Sequence, residues 1–191
     1  GFFGRANYTL LRRYIIELSA RYDGSSKFPV NQQWGFFPSA SFGWRISEEP
    51  WMSSAKSWLN NLKLRANAGS LGNGGISPFA YLSTMADSKS GIAFDGALVN
   101  KVSDPTVVPD NLTWETVTTY DAGLDLDVLN SRLSFSGDYY VRNTTDLYIN
   151  GPEIPAVFGE TAPKGNYGAL QTRGWELTLS WRDSFKLGGK D

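Results

Sequence analysis

Cysteine and histidine are both absent from the 191 residues. This removes thiolate nucleophiles, disulfides, thiolate metal sites and the commonest general base and metal ligand. Carboxylates remain. Asp121 and Asp125 are the residue types of a glycosidase pair, but four positions along one strand set them about 13 Å apart, beyond the roughly 5–9.5 Å such chemistry needs. Asp95, Asp104 and Asp110 offer oxygen atoms to a cation such as Ca²⁺ without the spacing of an EF-hand loop, and read as solvated loop carboxylates. Gly72-Asn73-Gly74-Gly75 looks like a phosphate cradle, yet it lacks the following Lys-Ser/Thr and a helix, so it reads as a turn. No catalytic group, resident metal or cofactor is expected.

The chemistry left is recognition, and it divides by position. A first set of charged residues is Arg5, Glu17, Arg21, Arg45, Lys63, Arg65, Asp121, Asp125, Asp138, Arg142 and Glu176. Each falls in a segment of strict alternation. A second set is aromatic and sits in long irregular stretches: Phe79, Tyr81, Phe94, Tyr148, Phe158 and Tyr167. Loops on a rigid scaffold commonly carry recognition, which makes these six the candidate substrate contacts.

The elements that position them are strands. Tyr14, Ile16, Leu18, Ala20 and Tyr22 alternate with Glu17, Ser19, Arg21 and Asp23. After a polar loop, Phe36, Pro38, Ala40, Phe42, Trp44 and Ile46 share one face, with Phe37, Ser39, Ser41, Gly43 and Arg45 on the other. Side chains alternate faces along a strand, so each run has one apolar and one polar face. The same pattern predicts strands over Phe2–Leu10, Tyr14–Asp23, Trp34–Ile46, Leu62–Gly69, Trp114–Leu126, Arg132–Arg142 and Ala169–Trp181. Runs of about a dozen residues are roughly twice the soluble average of about 5–6 and match the ~9–11 residues a tilted strand needs to cross a bilayer.

Short connections (Leu11–Arg13, Asp127–Ser131, and the medium Ser47–Asn61) alternate with long ones (Asp23–Gln33, Ser70–Thr113, Asn143–Gly168), as in outer-membrane barrels. Ser47-Glu48-Glu49-Pro50 reads as the capped start of a short amphipathic turn or helix carrying Trp51 and Trp58. Short β-like pieces are expected at Phe79–Thr84 and Ile92–Val99. Trp34, Trp44, Trp114, Trp175, Trp181, Tyr14, Tyr22 and Tyr139 lie near strand ends, where outward aromatics anchor a barrel at the membrane interfaces.

The net charge of −1 with 19% charged residues gives no general attraction to nucleic acid. The fold class expected is all-β: an antiparallel transmembrane β-barrel segment of about seven long strands. Open edges would expose unpaired backbone groups to hydrocarbon, so the chain reads as a fragment of a larger closed barrel. The first charged set then faces the lumen or a plug, since Arg or Lys at mid-membrane on the lipid face costs about 2–4 kcal/mol. The alternative is a soluble β-sandwich binding or adhesion module, its apolar faces packed together.

Four strings, ARYDGSSKF, WGFFPSASFGWRISEEPW, LKLRANAGSLGN and WETVTTYDAGLDLDVLNSRLSFSGDYYVRNTTDLY, resemble the SusC/RagA-like TonB-dependent outer-membrane transporters of Bacteroidota, and the likeness runs from Gly1 to about Trp181. The resemblance implies the middle portion of a barrel described as 22-stranded, with a plug domain and closing strands outside this chain. It implies import of glycans or peptides through the outer membrane, energy from the TonB complex acting on the plug, a SusD-like surface lipoprotein as lid, and two transporters paired with two lipoproteins.

Overall fold

The computed structural model describes residues 1–109, 112–159 and 161–184, without the side chains of Phe94 and Phe158. Asp110 therefore lies outside the described residues. Among the described residues nine strands form: β1 (Phe2–Leu10), β2 (Tyr14–Gly24), β3 (Trp34–Arg45), β4 (Leu59–Asn73), β5 (Asp87–Phe94), β6 (Ala97–Val102), β7 (Glu115–Val128), β8 (Leu133–Asn150) and β9 (Lys164–Trp181). Seven make one antiparallel sheet in the order β1-β2-β3-β4-β7-β8-β9, and β5 and β6 make a separate hairpin. All seven strands expected from the alternation are present. No second sheet packs on the apolar face among the described residues, so the sandwich alternative is not what the chain forms. Phe36, Trp175 and Leu179 remain 62–71% exposed.

The alternation decides the register. A slip of one residue would turn every side chain to the other face, and each strand instead pairs apolar with apolar. One hydrogen-bonded row reads Ile16, Phe42, Ala66, Ala122, Tyr139, Trp175, and the next on the opposite face reads Gly43, Arg65, Gly123, Asp138, Glu176.

The aromatic limits of the apolar band do not follow these rows. Trp175 shares its row with Ile16, six residues short of Tyr22 at the loop end of β2. Trp181 lies four residues beyond Leu177, which shares its row with Tyr14. The band slides by about one residue per strand, or ~3.3 Å along for each ~4.8 Å across. That is a tilt of roughly 35°, the inclination of strands in membrane barrels.

Several boundaries differ from expectation. β4 runs on to Asn73, β8 to Asn150, and β9 starts at Lys164, so the second long loop shrinks to residues 151–163. Phe79–Thr84 forms turns and no strand. The stretch Ile92–Val99 straddles a hairpin tip, with Asp95 and Gly96 both at positive φ (50° and 75°), the type I′ geometry that suits the strand twist. The Ser47 cap is not made. Residues Ile46–Glu48 and Pro50–Ser57 are 3-10 segments, and Glu49 takes the N-cap position before Pro50.

The buried core lies at the loop end. β3 and β4 are paired only from Ser39↔Gly69 to Arg45↔Lys63, and beyond Ser39 they part. Phe28, Ile76 and Leu112, with Trp114, Tyr81 and Tyr148 against them, form the cluster there. Phe37 stands edge-on to Trp114 at 5.6 Å and occupies the space a Cβ on Gly72 would take. Only glycine allows that approach.

Candidate functional site

All eleven residues of the charged set fall on one face of the sheet by register. At its centre Arg65 reaches across two strands. Its Nε and Nη2 donate to the two oxygens of Asp125 at 2.8 and 3.0 Å, and Nη2 also donates to Asp138 at 3.2 Å. Ser136 Oγ donates to Asp125 at 2.9 Å. Gly123 lies in the row between Arg65 and Asp138, and a Cβ there would collide with both side chains. The missing side chain is what lets the guanidinium cross.

Around this centre, Asn67 donates to Asp121 (2.7 Å) and Asn61 to Asp127 (3.1 Å). Arg5 lies 3.5 Å from Glu17, and Arg21 lies 3.0 Å from Asp23. Arg142 stands over the Tyr140 ring. Arg45 and Lys63 are register partners, as are Asp138 and Glu176. Among the described residues, Arg45, Lys63 and Glu176 have no counter-charge within salt-bridge distance. A hollow of about 510 Å³ opens over this region, lined by Arg45, Lys63, Asn61, Asp125 and Ser180 among others.

Removing the central cation tests the network. Arg65→Met strands two carboxylates whose side chains are about a quarter exposed. The expected loss is about 2–3 kcal/mol, below the ~3–5 of a fully buried broken pair. Arg65→Lys fails to restore the bidentate contact, whereas Arg65→Met combined with Asp125→Asn and Asp138→Asn recovers part of the loss. Urea midpoints of the full-length protein read this out.

The loop-end cluster is tied by polar contacts the sequence did not advertise. Trp114 Nε1 donates to the Gln33 carbonyl (3.2 Å), Thr113 Oγ1 to Gln32 (3.1 Å) and Lys27 Nζ to the Gly74 carbonyl (3.3 Å). Asn166 on β9 accepts from Thr113 N and donates to Thr113 O and Asp146 O. Trp114, expected among the strand-end aromatics, thus belongs to this core and lies 4.9 Å from the Phe28 ring. Of the six aromatic candidates, Tyr81 and Tyr148 pack against the cluster. Phe79 (63% exposed) and Tyr167 (51%) face out. The side chains of Phe94 and Phe158 lie outside the described set. No metal-holding group of acidic residues occurs among the described residues.

At the short-turn end, Glu49 is buried although it precedes an exposed segment. Tyr14 OH donates to it at 2.7 Å and Trp44 Nε1 at 3.0 Å, and Arg13 Nη1 lies 3.3 Å away. The Trp44 and Tyr14 hydrogen bonds, helped by the Arg13 charge, hold its carboxyl below the usual range against the opposing effect of burial. A carboxyl with a lowered folded-state pKa contributes stability that is complete above its ordinary value of about 4.3. That contribution is lost as pH falls through the lowered value. A spin label at Met52→Cys is therefore expected to stay immobile at neutral pH and loosen below about pH 4, with no such transition when Glu49→Gln is added.

A single tilted sheet, apolar and bounded by aromatics on one face, charged on the other, with short turns at one end and long loops at the other, is a section of an outer-membrane β-barrel wall. Comparison with known proteins agrees. The family model "TonB dependent receptor-like, beta-barrel" matches residues 1–190. The TonB-dependent receptor SusC of Bacteroides thetaiotaomicron is 37% identical over 182 residues, 94% of this chain and 18% of that protein. TonB-dependent receptor P26 of Formosa agariphila is 35% identical over the same shares. Among solved structures, the RagAB peptide importer in its closed-closed state superposes with a TM-score of 0.81 at 28% identity, over 96% of this chain and 20% of that one. The chain belongs to the TonB-dependent receptor β-barrel family, of the SusC/RagA-like kind, and spans about a fifth of the length of these relatives. That family is a transporter family of the outer membrane and not an enzyme family.

Proposed function

We propose that this chain is part of the lumen wall of a TonB-dependent importer that takes up an oligosaccharide or peptide, with a SusD-like surface lipoprotein as its lid. The observation that carries the reading is the register, which collects Arg5, Glu17, Arg21, Arg45, Lys63, Arg65, Asp121, Asp125, Asp138, Arg142 and Glu176 on one face of a tilted sheet whose other face is an aromatic-bounded apolar belt. The charged face lines the passage and meets a plug domain supplied by the rest of the protein. Arg45, Lys63 and Glu176, with no ion pair at salt-bridge distance among the described residues, have charge available for that contact. The long loops shape the outer cavity, where Phe79 and Tyr167 have the exposure to touch a solute, while Tyr81 and Tyr148 hold the loop pack together. A pair of transporters with two lipoproteins is the assembly expected.

The experiment is native purification from outer membranes in detergent, followed by mass spectrometry of proteins and small molecules. The reading predicts a polypeptide far longer than 191 residues with a co-purifying lipoprotein and a captured glycan or peptide, and uptake of that compound that stops when TonB is deleted. A species soluble without detergent, or uptake indifferent to TonB, would contradict it.

A further inference from the structure

Between β3 and β4 the chain does more than turn. Its two tryptophans are exposed, Trp51 at 63% and Trp58 at 55%. Tryptophan combines an apolar ring with a polar N–H and suits a surface that is apolar on one side and wet on the other. Two anchors fix the segment relative to the sheet. At its start, Glu49 is hydrogen-bonded by Tyr14 and Trp44, and both belong to the apolar face, where their rings stack at 6.3 Å. At its end, the Trp58 carbonyl accepts from Leu129 N in the β7–β8 turn at 2.9 Å. The 3-10 segment Pro50–Ser57 therefore runs along the short-turn rim from the apolar end of β3 towards β7 and β8.

The belt itself shows what is missing along that rim. β2 and β3 end in Tyr14 and Trp44, and β9 ends in Trp181. Between them the last belt residues of β4, β7 and β8 are Leu59, Val128 and Leu133, one register row with no aromatic. Indole rings sit at membrane–water interfaces because the ring is apolar and its N–H is wet. The segment brings two of them to the stretch of rim where the strands bring none.

We propose that Pro50–Ser57 and Trp58 lie in the headgroup–acyl boundary of the periplasmic leaflet as an in-plane anchor that completes the aromatic belt beneath β4, β7 and β8. Glu49 is the latch that sets the segment at that depth, buried against belt residues while Glu48, paired with Lys56 at 3.5 Å, stays in water. The occupant of the surface is phospholipid, by continuity with the belt. A periplasmic protein docked on the tryptophans is the competing occupant, and it would leave them wet in the purified transporter. The inference rests on the barrel-wall reading.

The test uses the full-length transporter in phosphatidylethanolamine–phosphatidylglycerol nanodiscs, with spin labels placed singly at Trp51→Cys, Trp58→Cys and Met52→Cys, the last keeping both indoles. Collision with oxygen and with Ni-EDDA is compared at each site. Leu124→Cys, in the middle of the belt, is the lipid reference, and Lys101→Cys, on the outer hairpin, is the water reference. The expected result is an oxygen-to-nickel ratio at 51 and 58 several-fold above that at 101 and below that at 124. Ratios at 51, 52 and 58 equal to that at 101, with 124 still in lipid, overturn the anchor alone. A water-like ratio at 124 overturns the barrel-wall reading beneath it.

Discussion

Phe28→Ala is expected to release the loop end of the sheet while leaving the membrane belt intact. The ring is fully buried, lies 4.9 Å from Trp114, and shares its cluster with Ile76 and Leu112. Truncating a buried phenylalanine costs about 3–5 kcal/mol, the lost transfer energy plus the cavity left behind. Here the cost falls on a local unit. The segments it joins, residues 25–33, 74–84 and 112–114, are tied to one another by contacts such as Trp114 Nε1 to the Gln33 carbonyl and Thr113 Oγ1 to Gln32, and to the wall by Asn166 of β9 through Thr113. Hydrogen exchange should therefore speed up strongly in those three segments and hardly at all in Tyr14–Tyr22 or Leu133–Val141, because local opening draws on local contacts. Leu112→Ala should act the same way to a lesser degree. If exchange instead rises throughout the strands, the cluster is part of the wall's global stability and the division into belt and loop pack is wrong.

The second large effect is a charge in the belt. Leu124 lies midway along β7 between Leu64 and Gly137 in its row, and Leu124→Arg places a cation where hydrocarbon should be. The expected destabilisation is about 2–4 kcal/mol, the range for Arg at the midplane of a membrane strand. The matched control is Ser41→Arg, opposite Glu17 and Asn67 on the charged face, which should change stability by less than about 0.5 kcal/mol. Urea midpoints of the full-length protein in lipid vesicles measure both. Equal sensitivity of the two faces would mean that neither meets lipid.

What the sequence disclosed follows from where lipid is. Alternation is a signal only while one face is apolar and the other wet, so the strands were legible from Tyr14 to Tyr22 and from Leu133 to Val141. β8 continues from Asn143 to Asn150, where Asn143, Thr144, Thr145 and Asp146 carry no apolar alternation because the strand there has left the apolar belt, with Thr144 buried and Tyr148 packed on the loop-end cluster. The same reason hides Ser70–Asn73 of β4 and Lys164–Gly168 of β9. The hairpin β5–β6 did carry a signal, the Asp95-Gly96 pair, which favours a type I′ turn. It marks the middle of a hairpin, where the alternation had placed a single β-like piece. The charged face was readable as a set, since the register follows from the belt on the other side. Its wiring was not, because Arg65 reaches Asp138 only across the gap at Gly123, a contact between residues more than seventy positions apart. The loop core was likewise invisible: Phe28, Ile76 and Leu112 meet only because β3 and β4 part above Ser39.

The central claim is that one face of this sheet meets lipid and the other water. A cysteine scan along β8 of the full-length protein in native outer membranes tests it most directly, using a membrane-impermeant maleimide. The account predicts reaction at positions 134, 136 and 140 and protection at 133, 135, 139 and 141, a period of two set by the pleat. Uniform reaction along β8, or protection of Ser134, Ser136 and Tyr140 with reaction at their neighbours, would contradict it.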